Sequence, residues 1–428
     1  MVRALGRRVV RIGELLHLGL QAEAERELET SRLLLGPRRW ALVVALLPAL
    51  AGFAVEMALA ADLPATIGGK QAYMPAFITP GMFWGSIVTG LIAGLITGVI
   101  GAGGGYILTP ALMSFGVKGI MAVGTDQFHL FAKAIMGTTI HRKLGNVNFW
   151  LAAWFVVGSG GGVSLGGWIS RHVYNANPSL SDAFISAVYV VILGTLGAYA
   201  LADWSRASRR ATSSADKVAG LGNCARRLQA LPLRPRISFD QDMTPGGRSI
   251  SVYPVILCGF TVGLVAAVMG VGGGFLTFPM FVYGLGVSTF TTVGTDILQI
   301  IFTTAYSSIL QYALYGYVFY TVAMGMLLGS LVGVQIGAMV TTMVKGVVIR
   351  AFYAVTILAG FINRLAALPR KLSECGLLQP PAPVGRTIDN VGTVLFFGLV
   401  GVFALWVLYS FFSHLPRAGS TVSEGQTD

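Results

Sequence analysis

The chain is 428 residues long, 54% of them hydrophobic and only 11% charged, with a mean hydropathy of +0.71. A soluble domain carries about 25% charged residues, so a water-soluble globular fold is excluded. The net charge of +12 does not signal nucleic acid, because the basic residues gather in loops beside apolar spans, as the positive-inside bias has them.

From the N-terminus, residues 1–39 are polar and mixed, with eight arginines and five glutamates. Residues 14–35 fit a helix lying on the membrane surface or a solvated cytoplasmic extension. Residues 40–61 form the first long apolar run, which contains Pro48 and Glu56 and follows Arg38 and Arg39. It ends in Ala58-Leu59-Ala60, which resembles a signal-peptidase site, but so long a leading region argues for an uncleaved helix. Apolar runs follow at 82–100, 122–143, 148–170 and 181–204, and again at 251–270, 293–314, 318–340, 347–366 and 390–412. Each is long enough to cross a hydrocarbon core of about 30 Å, which takes ~20 helical residues. Two shorter pieces, 105–116 and 275–286, are too short for an ordinary span, and each carries a proline early, Pro110 and Pro279.

The expected fold is an all-α polytopic membrane protein with about 10 long helices and two short half-helices. Its expected parts are an N-terminal extension (1–39), an extra membrane helix and loop (40–80), a first repeat (81–204), a basic cytoplasmic linker (205–250), a second repeat (251–366), and a loop, last helix and tail (367–428). The linker holds nine Lys or Arg and reads as polar and partly flexible; residues 367–388 read as a proline-containing loop. Cys224, Cys258 and Cys375 are scattered, with no CxxC or HxxxH spacing, so neither a metal site nor a disulfide framework is expected.

The repeat is explicit. Residues 98–126 read GVIGAGGGYILTP…AVGTD, and residues 267–296 read AVMGVGGGFLTFP…TVGTD. Further on, Gly158-Ser159, Gly162 and Gly166 match Gly329-Ser330, Gly333 and Gly337. Paired, glycine-broken apolar segments point to the substrate site of a secondary transporter. Placing the arginine-rich N-terminus, the loop 141–144 and the basic linker together in the cytoplasm requires the short piece 105–116 to cross. The first half then has an odd number of crossings and the second half is inverted. If the short pieces dip in and return, the halves are parallel and Arg370, Lys371 and Arg386 lie inside. Charge counting favours inversion.

The glycine clusters Gly101, Gly103, Gly104, Gly105 and Gly270, Gly272, Gly273, Gly274 each open a short helix. Its first N–H groups have no partner within the helix and carry partial positive charge, so an anion fits there; tight packing through small residues is the alternative. Thr125 and Thr295, which precede Asp126 and Asp296 in both halves, are candidate substrate-binding residues. Asp126, His129 and Lys133 share one face of an otherwise apolar helix. Asp126 can cap the helix start, with Lys133 neutralising it; Lys133 can instead attract an anion, since its counterpart Thr303 is uncharged. His129, whose counterpart is Gln299, is a candidate proton carrier, with Asp126 and Asp296 as candidate partners in proton coupling. Ser159, Ser164, Ser330 and Gln335 line the cavity or join helices, the second being favoured.

The GxGGG-to-proline segments, each followed about fifteen residues later by VGT, resemble the TauE/SafE family of sulfite and organosulfonate transporters over residues 82–366. The resemblance implies a cofactor-free permease for a small anion, multi-pass in the cell inner (plasma) membrane, with the bilayer and the anion as partners, no nucleic acid, and a homo-oligomer left open. An anion channel is the first rival. A membrane-embedded enzyme is the second, but no nucleophile with base, metal set, cofactor motif or Walker motif is found.

Overall fold

The computed structural model describes residues 80–100, 103–143, 147–210, 223–240, 247–341, 346–378 and 382–414. The expected surface helix 14–35 and first apolar run 40–61 lie outside them. The first half holds α1 (Pro80–Ile100), α2 (Gly105–Ser114), α3 (Gly119–Lys143), α4 (Phe149–Ala176) and α5 (Pro178–Arg210). A linker follows with α6 (Asn223–Gln229), β1 (Arg236–Phe239) and β2 (Arg248–Ser251). The second half holds α7 (Val252–Met269), α8 (Gly274–Pro279), α9 (Thr289–Ala305), α10 (Tyr320–Thr341) and α11 (Gly346–Glu374), and α12 (Ala382–His414) closes the chain. A π turn, Met280–Leu285, prolongs α8. Another, Tyr306–Tyr312, leads α9 into a 3-10 turn, Ala313–Tyr315.

Among the described residues, eight helices are long and apolar enough to cross a membrane. Helix α3 is long as well, at 25 residues, but carries Asp126, His129 and Lys133. Helix α3 therefore brings ionisable side chains into a largely apolar bundle.

Close approach of backbones through glycine sets the packing. A β-carbon built at Gly329, Gly333 or Gly337 of α10 would lie 2.0–2.5 Å from the carbonyls of Ile87, Leu91 and Leu95 of α1. The same happens where Gly158 and Gly162 of α4 meet Ile256 and Phe260 of α7, at 1.9 and 2.1 Å. Any larger residue would force the helices apart, which is the small-residue logic of membrane helix pairs. Both registers rise together, so α1 runs parallel to α10 and α4 parallel to α7. The first helix of each half thus lies along the fourth helix of the other.

Equivalent helices pair in the opposite sense. Asp203 of α5 meets Arg350 of α11 at 3.3 Å, and Asp182, near the other end of α5, meets Lys371 at 3.0 Å, so α5 and α11 are antiparallel. Helices α3 and α9 are antiparallel too. The Thr125 hydroxyl near the start of α3 accepts from the Phe319 N–H beyond α9 (2.9 Å), and the Thr295 hydroxyl accepts from the Asn148 N–H beyond α3 (3.0 Å).

Helix α2 turns back along α1. A β-carbon at Gly104 would sit 2.7 Å from the Ala93 carbonyl, while the Phe115 ring past the other end of α2 lies against Gly85. Nine residues of α2 are buried, Gly105 through Met113.

The described part of the linker contains an antiparallel β-hairpin, with Ile237 opposite Ile250. Asp240 directly follows β1, and its carboxylate accepts from Ser288 N–H (2.8 Å) and from the hydroxyls of Ser288 and Thr291 (both 2.6 Å). Buried Phe239 and Ile250 pack with Leu285 and Val287, so apolar contact also fixes the hairpin to the bundle. One expectation is corrected: residues 367–388 are not one loop, because α11 runs through Pro369 to Glu374. Ion pairs Arg370–Asp389 (2.7 Å) and Lys371–Asp182 (3.0 Å) hold those last turns against their neighbours.

Candidate functional site

The two glycine breaks come together in the interior. A β-carbon at Gly105 would lie 3.1 Å from Val271 Cα, and one at Gly270 would lie 2.8 Å from Thr109 Oγ1 and from Val123 Cα. The Leu130 side chain reaches both breaks, 3.0 Å from the Gly105 position and 2.9 Å from that of Gly272. Gly104 and Gly273 hold the N-cap positions of α2 and α8 with φ of 70° and 88°. That left-handed conformation suits glycine, and no side chain caps either helix start. Gly101 lies outside the described residues.

The two breaks differ in their surroundings. At the first, Lys133 donates from Nζ to the Gly103 carbonyl (2.6 Å) and to Thr97 Oγ1 (3.0 Å). An ammonium has three donors, and the third has no partner among the described residues. A β-carbon at Gly103 would meet no described atom within 4 Å. The second break is filled. Thr304 and Leu130 crowd Gly272, Val262 crowds Gly273, and Asp296 Oδ2 stands 2.9 Å from the β-position of Gly274. A carboxylate of the chain thus adjoins the positive end of α8.

Carbonyls in the last turn of α7 also accept from neutral side chains. Gln127 Nε2 donates to Ala266 O (2.7 Å), Tyr189 OH to Met269 O (2.6 Å), and Tyr312 OH to Ala267 O. At the far end of α2, the buried Arg364 donates to the Pro110 carbonyl and Ser114 Oγ, both at 3.2 Å, and to Asn363 Oδ1. A cation there complements the negative end of the α2 dipole.

Asp126, His129 and Lys133 do share a face. Asp126 Oδ2 accepts from Thr109 Oγ1 at 3.0 Å, and Oδ1 lies 3.7 Å from His129 Nδ1. His129 Nε2 meets Ser330 Oγ at 2.9 Å. The capping alternative for Asp126 fails, because α3 begins at Gly119, whose N–H is taken by Asp182 Oδ1 at 2.7 Å. Asp296 is likewise inside its helix, and Ser288 caps α9. Lys133 makes no ion pair with Asp126 within 4 Å, since its ammonium is turned to Gly103.

In the second half Asp296 Oδ1 accepts from Gln299 Nε2 at 2.8 Å, and Thr303 bridges Gln299 to Ser159. Ser159, Ser164 and Ser330 all bond across helices, as the favoured reading had them. The expectation did not include Gln127, Tyr189, Tyr312 or Arg364. Only Arg364 carried a clear signal, being an ionisable residue inside an apolar run.

A polytopic helical bundle whose two similar halves bring broken helices together at a polar helix defines the class of multi-pass membrane transporters. Residues 86–364 match the family Sulfite exporter TauE/SafE, and the chain belongs to that family. It is similar to the probable membrane transporter protein YjnA of Bacillus subtilis (strain 168), at 28% identity over 57% of this chain and 85% of that protein. It is also similar to the probable membrane transporter protein YunE of the same organism, at 25% identity over 57% of this chain and 83% of that protein. No solved structure matches it.

Proposed function

We propose that this protein is a secondary transporter that moves a small anion, sulfite or an organosulfonate, by alternating access between two inverted repeats. The observation that carries this reading is Lys133. Its ammonium is fixed on the Gly103 carbonyl at the mouth of α2, and its third donor has no partner among the described residues. The N–H groups of Gly104 and Gly105 open α2 beside it, and backbone donors with a nearby cation suit an oxyanion. The second break supports the substrate from the scaffold side, since Asp296 and packed apolar groups leave no room at Gly272 to Gly274. Thr125 and Thr295 tether α10 and α4 and so fix the distance between the halves. Antiparallel pairing of α3 with α9 and of α5 with α11 supports the inverted relation, with the linker in the cytoplasm.

Flux of labelled sulfite into liposomes holding the purified protein tests this reading. Saturable, substrate-dependent uptake is expected, lost in Lys133→Met. Unitary currents at channel rates would replace the transporter by an anion channel.

A further inference from the structure

The two halves place an aspartate at the same position and satisfy it differently. In the second half the partner is Gln299, an amide whose N–H bonds Asp296 Oδ1 at 2.8 Å. In the first half the partner is His129, and the facing atoms, Asp126 Oδ1 and His129 Nδ1, are fully buried at 3.7 Å with no hydrogen-bond partner.

The Ser330 hydroxyl has two acceptors in reach, the Leu327 carbonyl at 3.2 Å and His129 Nε2 at 2.9 Å. When it donates to Leu327 it accepts from His129, and Nε2 carries the N–H. A neutral imidazole has one N–H, which leaves Nδ1 a bare acceptor. An ionised Asp126 is acceptor-only as well, with Oδ2 already accepting from Thr109. In that arrangement two bare acceptors face each other inside the bundle, and in the other a single proton on Nδ1 lies between them. One added proton, on either atom, converts the clash into a hydrogen bond. A gap of 3.7 Å exceeds the usual limit of about 3.2 Å for a direct bond, so a small side-chain rotation closes it. It is also shorter than two such bonds through a water, so a proton fits the gap and a water does not.

The charged and titratable groups around the pair are few. Lys133 lies one turn on along α3 and faces Gly103; Tyr189 reaches in from α5, Tyr106 from α2, Asp296 from α9 and Arg364 from α11. Helices α1, α7 and α10 bring no acidic or basic side chain.

We propose that Asp126 and His129 together hold one exchangeable proton, and that its loading and release drive anion movement; this rests on the transporter reading above. The pair links Thr109 of α2 to Ser330 of α10, so its proton bears on the half-helix of one repeat and on the helix packed along α1. Gln299 supplies the same bond permanently, which makes the second half a proton-independent copy of the arrangement.

The test uses the full-length protein in liposomes with labelled methanesulfonate, whose charge does not change with pH. A pH gradient is expected to drive net flux above the exchange flux measured without a gradient. His129→Gln installs the arrangement of the second half. In it, and in Asp126→Asn, the ratio of gradient-driven to exchange flux is expected to fall by about 5-fold or more. An unchanged ratio in folded variants overturns the proposal. If neither methanesulfonate nor sulfite is carried, the substrate reading fails, and nitrogen-15 spectra of the imidazoles in nanodiscs decide the proton site separately. The signal missing in His129→Gln is expected to respond to pH in the wild type and to respond differently in Asp126→Asn. A His129 signal that ignores pH, or a response identical in Asp126→Asn, overturns it.

Discussion

At the scale of single residues, Lys133 separates a binding role from a structural one. Had it balanced Asp126, removal of both charges would restore the scaffold, because no buried charge is left alone. Its bonds instead go to Gly103 and Thr97. Lys133→Met is therefore expected to weaken anion binding by roughly 30-fold, or about 2 kcal/mol, as loss of a hydrogen-bonded charge does. The double variant Asp126→Asn with Lys133→Met is expected to stay equally weak, and titration of substrate protection against heat measures both. Near-normal affinity in the double variant would return Lys133 to an ion-pair role. The importance of these side chains was legible because an ionisable group in an apolar run stands out. Their partners were not. Period-3.6 reasoning put Asp126, His129 and Lys133 on one face, but the start of α3 depends on Asp182, 63 residues away in the chain. The carbonyl partners Gln127, Tyr189 and Tyr312 act across 139, 80 and 45 residues, and no local pattern encodes such distances.

At the scale of elements, the two glycine breaks look equal in sequence and differ in the fold. Their glycines match, but what fills the space beside them comes from α3, α7 and α9, whose residues at matching positions differ. Two substitutions exploit this difference. Gly103→Asn keeps a residue type that tolerates a positive φ and adds a side chain where no described atom lies within 4 Å. It is expected to fold with a melting temperature close to wild type and to lose most transport, because the amide lies beside Lys133. Gly272→Asn places the same side chain against Leu130 and Thr304. It is expected to lower the melting temperature in detergent, overpacking of this kind costing about 1–3 kcal/mol. Equal effects on melting and flux would mean that both breaks only pack helices. The hairpin offers a parallel case. Asp240→Ala leaves three donors at the start of α9 without their acceptor. A destabilisation of about 1–3 kcal/mol follows from such a loss, read as a lower melting temperature and earlier proteolysis of the linker. The hairpin itself was hidden by the basic composition of residues 205–250, which reads as solvated chain until Phe239 and Ile250 are seen to be buried.

At the scale of the whole molecule, the exchange of helices between halves ties topology to packing. The first helix of each half lies along the fourth of the other, while α3 pairs antiparallel with α9 and α5 with α11. A rotation axis along those helices would leave equivalent helices parallel, so the axis must lie across them. Gly119, Asp182 and Lys371 then share one end of the bundle, and Asn148, Asp240 and Ser288 share the other. The residue pairs differ in sequence separation, yet all agree on this assignment. Charge counting, which rests on the gathering of basic residues in the linker, favours the same relation. The native Cys375 follows Glu374, the last residue of α11, and is partly exposed; Leu233 is 46% exposed in the linker. With the linker in the cytoplasm, Cys375 is expected to react with a membrane-impermeant maleimide added outside intact cells. Leu233→Cys in a Cys224→Ser, Cys375→Ser background is expected to react only after the membrane is opened. Reaction of both from outside would place the two ends of α11 on one side, which its antiparallel run along α5 forbids. Reaction of Leu233→Cys alone from outside would keep the inverted relation and reverse its sidedness, carrying Lys133 and the mouth of α2 to the opposite face of the membrane.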